Sequence, residues 1–342
     1  MPSEDCITMA HGAGGRASAD LIETLFIPAF GRLDNAPLQD SAALSFPALR
    51  EPGSRLAFTT DSYVVSPLVF PGGDIGKLAV CGTVNDLSVS GAIPAYLSAA
   101  FILEEGLPIS VLSSIVKSMA DTAKQAGVKI VTGDTKVVEK GQADGIFINT
   151  SGVGVIPATV TVRSNLARVG DAVLVNGFIG DHGAAIMLAR QELGLAAEIA
   201  SDCAPLNAMI AQLLEACPEL KVMRDATRGG VGTVLAEIAQ SSGVTIALDE
   251  ERLPVRLETQ AICELLGMDP LFFANEGLLV CVLPEIQAEA ALTVMRKHPF
   301  GQQAEKIGRV TESQQSLLYI NTSFGSKRML EPPYGIQLPR IC

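Results

Sequence analysis

The sequence predicts an α/β protein, with α+β character, built from two units and closed by a short extended tail. Three observations carry that prediction. The chain has 342 residues, more than a single hydrophobic core ordinarily serves. Apolar runs of strand length alternate with helix-period segments along it, with no short-period repeat and no low-complexity stretch. The last stretch, Glu331 to Cys342, carries Pro332, Pro333 and Pro339, each of which lacks an N–H and fixes φ, so neither a regular helix nor a central strand can form there.

Taken in order, the chain opens on His11-Gly-Ala-Gly-Gly15, a loop able to lay backbone N–H groups against an anion, and then a helix over 18–30. A β-rich run over 55–65 contains Asp61, a carboxylate that must be neutralised wherever it is buried. Pro71-Gly-Gly-Asp74 turns into a helix over 75–90. Gly76 and Gly82 inside it each cost about 1 kcal/mol against alanine, which close approach of a ligand or another element would offset. Gly72 to Lys77 lacks the spacing and the Ser or Thr of a Walker A loop. A strand over 95–104, a helix over 108–125 ending at Gly127, a strand over 128–138 and another over 145–156 complete the first unit, and 163–171 reads as the linker.

The second unit begins with a strand over 172–176 and the turn Gly177-Phe-Ile-Gly-Asp-His-Gly183. Helices are expected over 184–193, 205–216, 231–240, 257–266 and 285–297, and strands over 244–248, 278–283, 305–311 and 316–319. The expected divisions are 1–40, a glycine-rich segment; 41–163, a nucleotide-binding and pairing domain; 164–330, an α/β domain; and 331–342, a mobile tail. Fully stretched, that tail spans about 40 Å at most. It ends in the thiol of Cys342, where the terminal carboxylate opposes thiolate formation and Arg340 favours it.

Composition narrows the function. A formal charge of −12 speaks against nucleic acid and against anionic membranes as partners. Hydrophobic residues make up 48%, enough for ordered interiors, and the longest uncharged run, 145–162, is broken by Asn149, Ser151 and Pro157 and reads as buried sheet rather than a membrane span. Seven scattered cysteines with no Cys-x-x-Cys pair fit free thiols in a reducing cytoplasm, and zinc is not expected.

Asp40, Asp61, Asp86, Asp134 and Asp225 each lie at the edge of an expected element, beside small or apolar residues. Hard oxygen donors spread over loop edges suit Mg²⁺, which takes one or two carboxylates with phosphate oxygens and water; ordinary helix and turn capping is the alternative. Lys136, two residues from Asp134, faces the same way on a strand, either to stabilise a phosphoryl group in transfer or to form an ion pair. His182, at a helix start, is placed to cap, to pack or to touch a substrate. Glu276, between Asn275 and Gly277, is a candidate general base or a turn carboxylate facing water.

Together, His11 to Gly15, Thr60-Asp-Ser-Tyr63, Gly72 to Lys77, Asn85-Asp-Leu-Ser-Val-Ser-Gly91, Gly133-Asp-Thr-Lys136, Gly180-Asp-His-Gly183, Arg224-Asp-Ala-Thr-Arg-Gly-Gly230, Asn275-Glu-Gly277 and Pro339-Arg-Ile-Cys342 closely resemble the HypE family of hydrogenase-maturation carbamoyl dehydratases. These belong to the aminoimidazole ribonucleotide synthetase and selenophosphate synthetase superfamily. The resemblance runs in order over nearly the whole chain, and the terminal Pro-Arg-Ile-Cys is its most specific part.

The resemblance implies a PurM-like two-domain fold, a homodimer formed through strands of the N-terminal domain, and ATP with Mg²⁺ in a cleft without a Walker loop. It implies that Asp40, Asp61, Asp86, Asp134 and Asp225 hold the metal and phosphates, with Asn85, Gly133, Thr135, Arg228 and the loop of Gly12, Gly14 and Gly15 nearby. Lys136, Glu276 and His182 would act where the tail enters. Gln39 stands before Asp40 where superfamily relatives often carry a second acid. The implied reaction converts an S-carbamoyl group on Cys342, loaded by a HypF carbamoyltransferase, into a thiocyanate whose cyanide passes to iron on a HypC–HypD scaffold. Another ATP-using superfamily enzyme and a non-catalytic thiol carrier are the competing readings; the first has no need of a terminal thiol, and the second has no need of the Asp and Lys set.

Overall fold

The structure, a computed structural model, describes residues 6–32, 41–190, 198–312, 315–335 and 341. Asp40 and Cys342, both expected at the site, lie outside the described residues.

In the first unit, short helices α1 (Arg16–Leu21) and α2 (Ile27–Phe30) flank a π-helical turn at Ile22–Phe26. There follow β1 (Arg55–Tyr63), a small hairpin of β2 (Val69–Phe70) and β3 (Gly73–Asp74), α3 (Ile75–Val89), β4 (Ile93–Glu104), α4 (Ile109–Ala126), β5 (Lys129–Val138) and β6 (Ile146–Ile156). The sheet order is β1-β6-β4-β5, antiparallel except for the β4–β5 pair. Leu97, Ala99, Phe101 and Leu103 of β4 alternate onto an inner face covered by α3 and α4. Among the described residues the outer face is left largely exposed, although Phe46 meets Tyr96 edge-on there, with centroids 5.3 Å apart.

The two glycines inside α3 have structural partners. A Cβ on Gly76 would meet the carbonyl of Ile115 in α4, and one on Gly82 would overlap Tyr63 Oη. Their missing side chains let a helix and an aromatic ring pack against α3. Asp74 caps the helix by accepting from the N–H groups of Gly76 and Lys77 at 2.7 and 3.0 Å.

The second unit contains β7 (Asp171–Val175), α5 (Asp181–Ala189), α6 (Asn207–Ala216), β8 (Val222–Asp225), α7 (Gly230–Ser242), β9 (Thr245–Asp249), α8 (Leu257–Leu266), β10 (Leu279–Pro284), α9 (Ala288–Lys297), β11 (Glu305–Thr311), β12 (Leu318–Asn321) and β13 (Lys327–Met329). They form one sheet in the order β13-β12-β9-β11-β7-β10-β8. Both faces are covered. Leu174, Leu279 and Cys281 pack with Met209, Leu213 and Leu292 of α6 and α9, whereas Val173, Val175 and Val280 pack with Val234, Leu235 and Ile238 of α7. That burial on both sides explains strands that read as continuous apolar runs.

The strand β8 overlaps the start of the polar motif at Arg224 and is not predicted from the sequence, nor are β2, β3 and β13. Each has four residues or fewer, too short for a period to declare itself. The helix expected over 184–193 begins earlier, at Asp181. No helix among the described residues is long and apolar enough to cross a membrane.

Candidate active site at the domain seam

The candidate site residues fall into three groups, and sheet geometry decides their membership. The first is acidic. Asp61 on β1 faces inward with Tyr63 and Thr59, toward α3; Thr59 Oγ1 donates to Asp86 at 2.8 Å, and Arg228 lies 3.8 Å from Asp61. Burial raises the Asp86 carboxyl above its usual value, and neighbouring Asp61 adds to it. Asp225, at the end of β8, is pushed up to about 6 by burial and then by Asp86. Converging carboxylates of like charge, partly withdrawn from water, are a site where a hard cation would be welcome. Among the described residues no three His, Cys, Asp or Glu side chains are set close enough to enclose a metal by themselves.

The second group stands at the β5 edge. Lys136 Nζ is 3.1 Å from Asp134 Oδ2, both side chains largely exposed. A cleft of about 390 Å³ opens beside them, lined by His11, Gly12, Gly14, Phe26, Phe30, Phe101, Gly133 and Thr135. Gly12 lies so close to the backbone of Val137 that a Cβ would come within 2.6 Å of its nitrogen, so the glycine-rich loop is pressed against β5. Gly15 starts α1.

The two groups lie at the same level of the sheet but on opposite faces. Asp61 pairs with Thr150, Thr150 with Ala99, and Ala99 with Gly133, so Asp61 and Asp134 are three strand spacings apart, about 14 Å. Counting by twos from buried Ile130 would put Asp134 on the inner face. A register shift between Leu97 and Ser98 sets it opposite Ala100 instead, on the outer face.

The third group lies at the seam between the units. Glu276 is 3% exposed, its Oε1 has no hydrogen-bond partner among the described residues, and its carboxyl is raised well above the usual range by burial, then by Cys203, Asp202, Asp225 and Asp61. Asp202 holds the turn that carries it, accepting from the N–H groups of Glu276 and Gly277, both at 3.0 Å, and from Asn275 Nδ2 at 2.8 Å. Asn85, expected beside the nucleotide, crosses the seam: its amide donates to the carbonyls of Ala204 and Glu276 and accepts from Leu206 N–H. His182 is fully buried against Phe70, Ser201 and the backbone carbonyl of Ile341, and burial lowers its pKa to about 4. The tail residue before Cys342 is therefore inside the seam.

Ser201, Asp202 and Cys203 escaped the sequence reading. Ser-Asp-Cys between two helices has no spacing signal, and only tertiary contact with Glu276 and His182 gives it meaning.

A two-domain α/β chain with an acidic cluster, a glycine-rich loop against an edge strand and a buried glutamate at the seam defines the AIR synthase-related class. The sequence matches the N-terminal domain described as AIR synthase related protein over 38–156 and the C-terminal domain of the same description over 168–321. It is 51% identical over 339 residues to carbamoyl dehydratase HypE of Rhodobacter capsulatus, covering 99% of each chain. The structure superposes on hydrogenase maturation protein HypE in complex with ATP with a TM-score of 0.92, at 46% identity, over 98% of this chain and 99% of that one. It also superposes on the chain of a HypE–HypF complex, with a TM-score of 0.79, at 50% identity, over 92% of this chain and 99% of that one. The chain belongs to the carbamoyl dehydratase HypE family.

Proposed function

We propose that the chain dehydrates an S-carbamoyl group carried on its own Cys342, consuming ATP and releasing ADP and phosphate, and so supplies cyanide for the iron of a nickel–iron hydrogenase. The observation that carries this reading is Ile341 seated in the seam, because Cys342 follows it directly in the chain.

The amide oxygen of a thiocarbamate leaves poorly. Transfer of the γ-phosphoryl group to that oxygen makes it phosphate, and loss of phosphate with the nitrogen-bound protons then leaves the thiocyanate. Lys136 would hold charge on the transferring group, and the loop of Gly12, Gly14 and Gly15 would place N–H donors near the phosphates, with Gly133 and Thr135 beside them. Asp61, Asp86 and Asp225, with Asp134 and Asp40, would hold Mg²⁺, which supplies charge neutralisation of the phosphates when bound; Arg228 offers a further cation beside Asp61. The unpartnered Oε1 of Glu276 is the acceptor for the carbamoyl N–H, and its high proton affinity makes it a strong base once ionised. Burial of the seam keeps water from competing for the phosphoryl group.

One chain holds Asp134 and Lys136 apart from Asp61 and Asp86, and the reading includes a homodimer that pairs through the outer face on which Asp134 and Lys136 stand. Phe58, 68% exposed, with Leu56, Ile93 and Ile102 makes the outer face of the first sheet apolar at its ends. A two-fold axis along the strands would lay the outer face of β5, with Asp134 and Lys136, over the outer face of β1 in the other copy. HypF would load the carbamoyl group and a HypC–HypD complex would accept the cyanide.

Intact-protein mass spectrometry of the S-carbamoylated chain with MgATP tests the reading. The wild type should lose the mass of one water as ADP and phosphate appear, and Cys342→Ala should carry no adduct. A Cys342→Ala chain that gains the same adduct, or a carbamoylated wild type unchanged by MgATP, would defeat it.

A further inference from the structure

We propose that Ser201 and His182 form a receptor for the tail, in which Ser201 fixes the imidazole tautomer, His182 Nε2–H donates to the Ile341 carbonyl, and an apolar socket at the seam selects the Ile341 side chain. The inference deepens the reading of the tail as substrate and assigns both residues a positioning role.

Hydrogen-bond direction is forced at every link. A peptide carbonyl only accepts, so the imidazole nitrogen facing Ile341 must carry a proton. A fully buried imidazole without a carboxylate partner stays neutral, so Nδ1 is left as an acceptor. Ser201 Oγ lies 2.7 Å from that Nδ1 and already accepts from Cys203 N–H at 3.1 Å, so its own proton points to the ring. The chain of donors runs one way, from Cys203 N–H and Ser201 O–H to the tail.

The receptor is held by both units. Ser201 N–H donates to Pro71 O at 2.8 Å, and Gly72, with φ of +95°, approaches so closely that a Cβ there would come within 2.6 Å of Ser201 O. The ring of Phe70 meets His182 edge-on, with centroids 5.5 Å apart. Ile341, 6% exposed, joins the same contiguous apolar cluster as Phe70, Ile186, Cys203 and Ala274. A carbonyl contact reads any residue alike, so discrimination falls to the socket. An alanine would leave it part-empty and an aromatic ring would overfill it.

Accessibility of the terminal thiol reports docking without any chemistry by the enzyme. The full chain is treated with iodoacetamide in the absence of nucleotide, and alkylation of the C-terminal peptide is followed by mass spectrometry. Ser201→Ala and His182→Ala should each raise the Cys342 alkylation rate about tenfold, the scale of one buried hydrogen bond. His182→Gln, whose side-chain amide can still donate, should restore most of the protection, which a merely structural loss would not allow. Ile341→Ala leaves the walls of the seam untouched and should raise the rate about thirtyfold. Wild-type rates in Ile341→Ala, or equal rates in His182→Ala and His182→Gln, would overturn the receptor. Protection lost as expected in a chain that nonetheless fails to dehydrate its carbamoyl group would overturn the proposed activity and leave the receptor standing.

Discussion

Acidification from about pH 7 to about pH 5 should weaken the folded chain by roughly 2 kcal/mol through His182 alone. The imidazole is fully buried, and its pKa is pushed down from 6.5 to about 4. Between those two values the unfolded chain binds a proton that the folded chain refuses. Stability from this residue is therefore whole above about pH 6.5, falls as the pH drops, and is fully lost below about pH 4, a total of roughly 3 kcal/mol. The assay is urea denaturation of wild type and His182→Gln across that pH series, with the two unfolding free energies subtracted so that every other titrating group cancels. The difference should shift against the wild type by roughly 2 kcal/mol between about pH 7 and about pH 5. Parallel curves would mean that the ring is equally protonatable in both states, which would refute the neutral, one-directional contact with Ile341.

Three further outcomes follow from the geometry. Lys136→Ala should reduce turnover at least about a hundredfold with no measurable loss of thermal stability, because the exposed pair with Asp134 contributes little to folding; near-normal turnover removes Lys136 from the reaction. Phe58→Lys places a charge on the exposed outer sheet face and should convert the proposed dimer to monomers in analytical ultracentrifugation, so an unchanged sedimentation profile counts against pairing through that face. Gly277→Ala forces a Cβ against the carbonyl of Asp202 and should cost about 3 kcal/mol in chemical denaturation, with displaced Glu276 slowing turnover as well; a variant as stable as the parent would show that the turn can relax.

Much of the fold was legible because period and punctuation are local. Alternation in β4, the long apolar face of α4 and its Gly127 terminus all declare themselves within a dozen residues. Gly76 and Gly82 signalled a close approach inside α3, yet what approaches, a carbonyl of α4 and the Tyr63 hydroxyl, belongs to other elements. The candidate site was legible in part. Asp61, Asp86 and Asp225 do converge, and Asn85 makes its hydrogen bonds across the seam, whereas Ser201 and Asp202 gave no sign at all.

Taken by itself, the order of residues determined the succession of strands and helices, the family motifs and the position of a thiol one residue beyond Ile341. Tertiary structure alone decided which charges meet. A side chain's direction on a sheet depends on strand order, register and any bulge, and the shift between Leu97 and Ser98 sends Asp134 to the opposite face from Asp61. Likewise His182 becomes a reader of the tail only because Pro71, Ser201 and Ile341, far apart along the chain, are packed into one seam from which water is excluded.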